Sequence, residues 1–178
     1  MKKLNLTMIV LFLSISPTLF SQSEIEKILT EISTAPSAQR IENDIIKLVG
    51  FGTRHTLSDT ISATRGIGAA RRWVKSSFEE VSKNCDNCLE VSYLGDLVKA
   101  DGSRIVTDTK VVNVMAIQRG TTYPNRYVMM SGDIDSRVSD ANNFTSDAPG
   151  ANDNATGLAG TIEASRILSK YKFPVSII

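Results

Sequence analysis

Apolar positions recur along this chain first with a helical period and then with a period of two. In "EIEKILTEISTA", residues 24–35, Ile25, Ile28, Leu29 and Ile32 fall on one face of a helix, and Ser23 with Glu26 forms a capping box at its start. Residues 38–49 repeat the pattern with Ile41, Ile45 and Leu48, and Gly50 supplies the stop. After a glycine-marked loop, "GFGTRHTLS", a third helix is predicted over about 64–83, with Trp73, Val74, Phe78 and Val81 facing inward. Beyond Cys88 the period changes. Leu89, Val91 and Tyr93 alternate with polar residues as in a half-buried strand, and "KADGSR" reads as a turn around Asp101–Gly102. "TKVVNVMAIQRG" is a second strand. "RYVMMS", residues 126–131, is a third, so nearly continuous in apolar residues that it is expected to be buried on both faces. A helix over 155–171 turns Leu158, Ile162, Ile167 and Leu168 inward, and "PVSII" opens one more strand. Helices first, then a strand pair, then strand, loop, helix and strand predict an α/β fold with a mixed sheet.

Composition narrows the function classes. The 178 residues suffice for one domain with a sizeable core, and the net charge of +1 argues against nucleic acid or an anionic membrane as partner. The N-terminus reads differently from the rest. "MKKLNLTMIVLFLSISPTLFSQS" has two lysines, an apolar stretch and then small polar residues, the layout of a secretory signal peptide cut near Ser21–Gln22. A membrane anchor is the competing reading, but the apolar run is short for a bilayer span and Ser14, Ser16 and Pro17 interrupt it. The expected organisation is therefore a signal peptide over 1–21 and an exported domain over 22–178, periplasmic or extracellular, with no membrane contact once the signal is removed.

Export puts Cys85 and Cys88, in "NCDNC", in an oxidising compartment. Such a pair can be a redox centre, half of a zinc site or a structural disulfide. No second CxxC is present for a four-thiolate site, and the pair follows a helix rather than starting one, so a disulfide stapling the turn is favoured.

The candidate chemistry lies in "SGDIDSRVSDANNFTSDAPGANDNATG", residues 131–157, with five Asp, four Asn, three Gly and no Lys or His. Asp133 and Asp135 follow directly on the third strand, and a D-x-D there sends both carboxylates to one side, toward the crevice where α/β sheets bind ligands. Asp153 sits at the start of the next helix. Taken singly, Asp153 suits a helix cap, and Asp133 and Asp135 suit a solvated turn. Gathered at one crevice, carboxylates repel one another unless a cation lies among them. Oxygen donors suit hard divalent cations, and also zinc where a carboxylate bridges two ions.

The segments "GDIDSR" and "APGANDNATGLAGTIEASRIL" resemble the di-zinc aminopeptidase family, secreted metallopeptidases related to bacterial leucyl aminopeptidases and glutamate carboxypeptidase. That pattern runs His-x-Asp-Ser after a strand, then Pro-Gly-Ala-Asp/Asn-Asp-Asn-x-Ser/Thr-Gly opening a helix; "GFGTRHTLS" and "RGIGAARRWVKSSF" also resemble the region preceding it. The likeness covers most of residues 40–178. It implies a zinc-exopeptidase-like, phosphorylase/hydrolase-like fold, with a mixed sheet sandwiched by helices and here truncated after the motif helix. It also implies a peptide or protein substrate and two zinc ions. By position, Asp153 matches the aspartate that bridges the ions, and Asp135 matches the acid that orients the first ligand. Asp133 stands where the family has a histidine, a departure that makes a harder divalent ion more plausible. The chemistry implied is peptide hydrolysis, with two metal ions acidifying a shared water and polarising the carbonyl while a glutamate moves the proton. The Glu-Glu pair and later ligands of that pattern lie past Ile178, so the expectation is the N-terminal portion of such an enzyme, hydrolysing peptides poorly by itself. An inactive fragment or binding module that keeps the first half of the fold is the alternative, and a thiol protein using Cys85 and Cys88 a third. His55 is expected to be a loop or core histidine and not a ligand.

Overall fold

A computed structural model describes residues 16–178, with side chains from residue 22 onward. Most of the expected signal peptide lies outside the described residues. The chain divides into one unit ending at Pro36 and another over Ser37–Ile178. Among the described residues, no helix is long and apolar enough to cross a membrane.

The first unit contains helix α1, Ser16–Thr34. It starts well before Ser23, so the expected capping box is not a helix start. Extending a formed helix costs far less than nucleating one, and no breaker separates residues 16–22 from the periodic segment. The apolar stripe is not buried either: Ile25 and Leu29 are exposed. The helix ends two residues before Pro36, whose ring disfavours helical backbone at Ala35.

In the second unit, α2 (Ala38–Val49) begins where Ser37 Oγ accepts from Arg40 N at 3.3 Å and ends at Gly50, whose N–H reaches Ile46 O, as the periodicity predicts. Helix α3, Gly66–Lys83, buries Ile67, Val74, Phe78 and Val81. Between it and the sheet, Cys85 and Cys88 are joined as a disulfide. Asp86 and Asn87 take the left-handed backbone between them, a conformation Asp and Asn tolerate best among residues with side chains.

Strands β1 (Leu89–Val98) and β2 (Thr109–Gln118) form an antiparallel hairpin in continuous register from Leu89 opposite Gln118 to Val98 opposite Thr109. Strand β3 covers Tyr123–Val128, helix α4 Thr156–Leu168 and strand β4 Val175–Ile177. The sheet order is β1-β2-β4-β3, with β4 antiparallel to β2 and parallel to β3, which confirms the mixed α/β class. Helix α3 packs on β1 and β2, and α4 packs against α2 and α3. Helix α3 thus covers the β1–β2 hairpin, with α4 and α2 packed in turn on α3 and α4, and the second covered face of a sandwich is not seen among the described residues.

The third strand departs from expectation. It begins at Tyr123 and ends at Val128, and it is exposed along its whole length; Met129, just past it, is 66% exposed. A continuous apolar run signals two-sided burial only when neighbours cover both faces. Among the described residues β3 is an edge, paired with β4 alone.

The core joins Leu48 of α2, Phe51, the α3 residues Ala70, Val74 and Phe78, and Leu158 and Ile162 of α4. Complete burial of Ile162 contributes about 2–3 kcal/mol. Ile134, between the two acidic residues of the D-x-D, packs against this same core. The core therefore anchors the segment that carries the candidate site.

Candidate functional site

After Val128 the chain passes the end of the sheet, where Met130 N still donates to Ile178 O at 2.9 Å, and successive side chains there alternate in direction. Ile134 turns in, so Asp133 and Asp135 turn out, and both are exposed. Both line a cavity of about 500 Å³ between the sheet and helices α3 and α4, together with Arg71, Phe78 and Leu158. Gly132 permits the close approach: a Cβ there would stand 2.5 Å from Leu158 N at the start of α4.

The second acidic turn is built by Gly150 and Asn154. Gly150 has φ +49°, and a Cβ there would meet Ser136 Cβ and Asp153 O, each at 2.6 Å. From Ala151 to Ala155 the backbone makes one wide turn in which Asp153 (φ −119°, ψ 96°) and Asn154 (φ −134°, ψ 43°) are not helical. The peptide between them is cis. Asp153 is therefore not the cap of α4. Asn154 Oδ1 takes the N–H of Gly157 instead, at 2.9 Å. Asp153 is left exposed, and its side chain, like those of Asp133 and Asp135, makes no hydrogen bond or ion pair among the described residues.

Segment 52–65 holds the intervening loop. Ala148 N donates to Gly52 O at 2.8 Å, and Thr53 bridges to Ala148. Arg65 pairs with Asp147 at 2.6 Å and donates to Thr145 O at 2.9 Å. His55 is buried. Its Nδ1 accepts from Leu57 N at 3.0 Å, which leaves the proton on Nε2 to be donated to Ala141 O at 3.0 Å. Both ring nitrogens are engaged, so His55 is a loop-pinning histidine, as expected, and not a free ligand.

Two buried arginines back the site, and sequence reasoning missed both. Arg54 donates from Nε to Ile134 O at 2.8 Å and from its two Nη atoms to Leu48 O, Pro149 O and Gly150 O. Burial pulls its pKa below the ordinary value, while the charge of Asp135 pulls the other way. Arg71 is similarly lowered by burial and raised by Tyr93 and Asp135, and its Nε is buried with no hydrogen-bond partner among the described residues. Both guanidinium groups remain charged at neutral pH. No spacing rule marks Arg54, because its partners in the acidic segment lie 80 and more residues away. Arg71 sits on a face otherwise read as core, and an arginine among apolar positions was the available signal.

The exposed, unpaired carboxylates of Asp133 and Asp153 fit a divalent cation as oxygen donors. They do not complete a coordination shell: among the described residues no group of three or more His, Cys, Asp or Glu comes together to hold a metal.

Fold and site together define a mixed-sheet α/β domain with acidic turns at the end of β3 and at the entry to α4. Residues 113–178, which contain β3, both turns and α4, match the model of Peptidase family M28. The chain is also similar to a probable zinc metalloprotease of Pyrenophora teres f. teres, 44% identical over 142 residues, which is 80% of this chain and 29% of that relative. A probable zinc metalloprotease of Leptosphaeria maculans is 43% identical over 151 residues, 85% of this chain and 34% of that protein. One of Pyricularia oryzae is 42% identical over 139 residues. The chain thus spans about a third of the length of the curated relatives it matches. The likeness is thus to probable zinc metalloproteases over part of their length, and the family match falls on the segment that carries both acidic sites.

Proposed function

We propose that this chain carries part of the site of an exported zinc exopeptidase of the aminopeptidase type, with Asp153 shared between two metal ions, Asp133 as a further oxygen donor and Asp135 orienting the donor beside it. The observation that carries the proposal is the freedom of Asp153. Its turn is built at the entry to a helix, yet Asn154 does the capping work and Asp153 keeps an exposed carboxylate with no partner among the described residues. A residue kept for local structure would be engaged locally. The Peptidase family M28 match spans this turn and the Asp133–Asp135 turn together.

Zinc, when bound, supplies Lewis-acid polarisation of a peptide carbonyl and acidifies water. The chain's own residues contribute oxygen donors at Asp133 and Asp153 and an apolar cavity beside them, lined by Val74, Phe78, Met130 and Leu158, that excludes water from an apolar substrate side chain. The lysine pair and apolar run at the N-terminus support export.

Elemental analysis of the purified full chain, beside Asp153→Ala, tests this. Zinc uptake by the wild-type chain that is lost in the variant is expected, at an affinity lowered by the incomplete set of donors. A folded chain that takes up no zinc removes the reading.

A further inference from the structure

Arg54 is 1% exposed, and among the described residues it forms no ion pair. Burying a guanidinium without a carboxylate in contact is costly, and a site that needed only packing would do as well with an apolar residue. The acceptors show what the charge is for. Ile134 O lies between Asp133 and Asp135. Pro149 O and Gly150 O open the turn that carries Asp153. Leu48 O belongs to the last turn of α2, a rigid post. One planar group therefore joins both acidic turns to one helix. Ser136 ties the same pieces: its Oγ accepts from Arg54 N at 3.0 Å and donates to Ala148 O at 2.6 Å. Between the turns, residues 137–147 form a largely exposed loop with no regular structure to set their separation.

We infer that Arg54 is a positioning residue that fixes the Asp133–Asp135 turn against the Asp153 turn and so sets the separation of the carboxylates. The inference rests on the metallopeptidase reading for the use of that separation, but not for its existence. The fork of a guanidinium reaches four carbonyls in one plane; a lysine ammonium is a compact donor that reaches fewer. The charge also faces Asp135, so the carboxylates have a nearby counter-charge before any cation arrives.

The test compares the full wild-type chain with Arg54→Met, Arg54→Lys and the remote stability control Glu163→Gln. Hydrogen exchange by mass spectrometry is followed over 131–138 and 148–156, and zinc affinity is measured by competition with a chromophoric chelator. In Arg54→Met, exchange in both segments is expected to accelerate about tenfold or more while the β1–β2 hairpin keeps its protection. Its zinc Kd should rise about 10- to 100-fold, the usual consequence of losing a group that orients ligands. Arg54→Lys should fall between, and it carries the test alone if Arg54→Met does not fold. Glu163→Gln should lower the melting temperature and leave zinc affinity unchanged, the outcome Arg54→Met would share if Arg54 were merely structural. Unchanged exchange in either segment overturns the inference, as does loosening of both with zinc affinity intact. A wild-type chain that binds no zinc sinks the metallopeptidase reading, while the exchange data still decide whether Arg54 joins the turns.

Discussion

Replacing Glu163 by alanine removes the acceptor on which the start of α2 and the middle of α4 converge. The Glu163 side chain is 3% exposed. Its oxygens accept from Ser37 N at 2.8 Å, from Arg40 Nε at 2.9 Å and Nη2 at 2.5 Å, and from Arg166 Nη1 at 3.4 Å. Breaking a fully buried ion pair costs about 3–5 kcal/mol. Two features reduce that here. The Arg40 side chain is 47% exposed and its guanidinium rehydrates, and Arg166 keeps its bidentate contact with Asp44 at 2.5 and 3.1 Å. The expected loss is about 2–4 kcal/mol, including the orphaned Ser37 N–H. Urea unfolding at neutral pH, followed by the fluorescence of Trp73, measures it. The pH dependence carries a second check. Burial pushes the Glu163 carboxyl up, but the Arg40 hydrogen bond, the Ser37 N–H, the Arg40 charge and the Arg166 hydrogen bond outweigh it and hold the pKa below the ordinary carboxylate value. A depressed carboxyl stabilises the fold above its unfolded pKa and loses that contribution as pH falls through the folded value. The difference between wild type and Glu163→Ala should be flat above about pH 5 and shrink below about pH 4. A loss under about 1 kcal/mol, or a difference that grows in acid, would refute the reasoning.

Gly150→Ala should destabilise by about 1–3 kcal/mol, from left-handed backbone plus contacts at 2.6 Å, and should weaken zinc binding with it; unchanged thermal unfolding would count against the tight second turn. Arg71→Met should leave stability unchanged or raise it, since Arg71 Nε is buried with no partner among the described residues, and a loss above about 2 kcal/mol in urea would show that its charge is structurally required. Cys85→Ser with Cys88→Ser should cost about 2 kcal/mol, the entropy of so short a loop, with no change in the zinc content of the chain; a loss of bound zinc would revive the thiol-site reading.

Local rules carried far in this chain where the deciding forces are local. Gly50 marked the end of α2 because a stop acts within one turn, and the alternation of Leu89, Val91 and Tyr93 marked β1 because one of its faces meets α3. The Asp101–Gly102 turn was legible for the same reason. The face of α1 and the burial of β3 were not, since an apolar pattern states what could be covered and not what covers it. Asp133, Asp135 and Asp153 stood out by residue type and spacing, but spacing left the cap and the free carboxylate equally open for Asp153.

The sequence by itself determined the order of helices and strands, the mixed α/β class and the three carboxylates worth asking about, and it favoured a disulfide at Cys85 and Cys88, because periodicity, capping and turn chemistry act over a few residues. Only the tertiary structure decided that Asn154 and not Asp153 satisfies the entry to α4, that His55 has both nitrogens engaged, and that Arg54 ties two acidic turns to one helix. Those outcomes depend on hydrogen bonds whose geometry, and in the case of Arg54 whose partners some 80 to 96 positions away, no local pattern encodes.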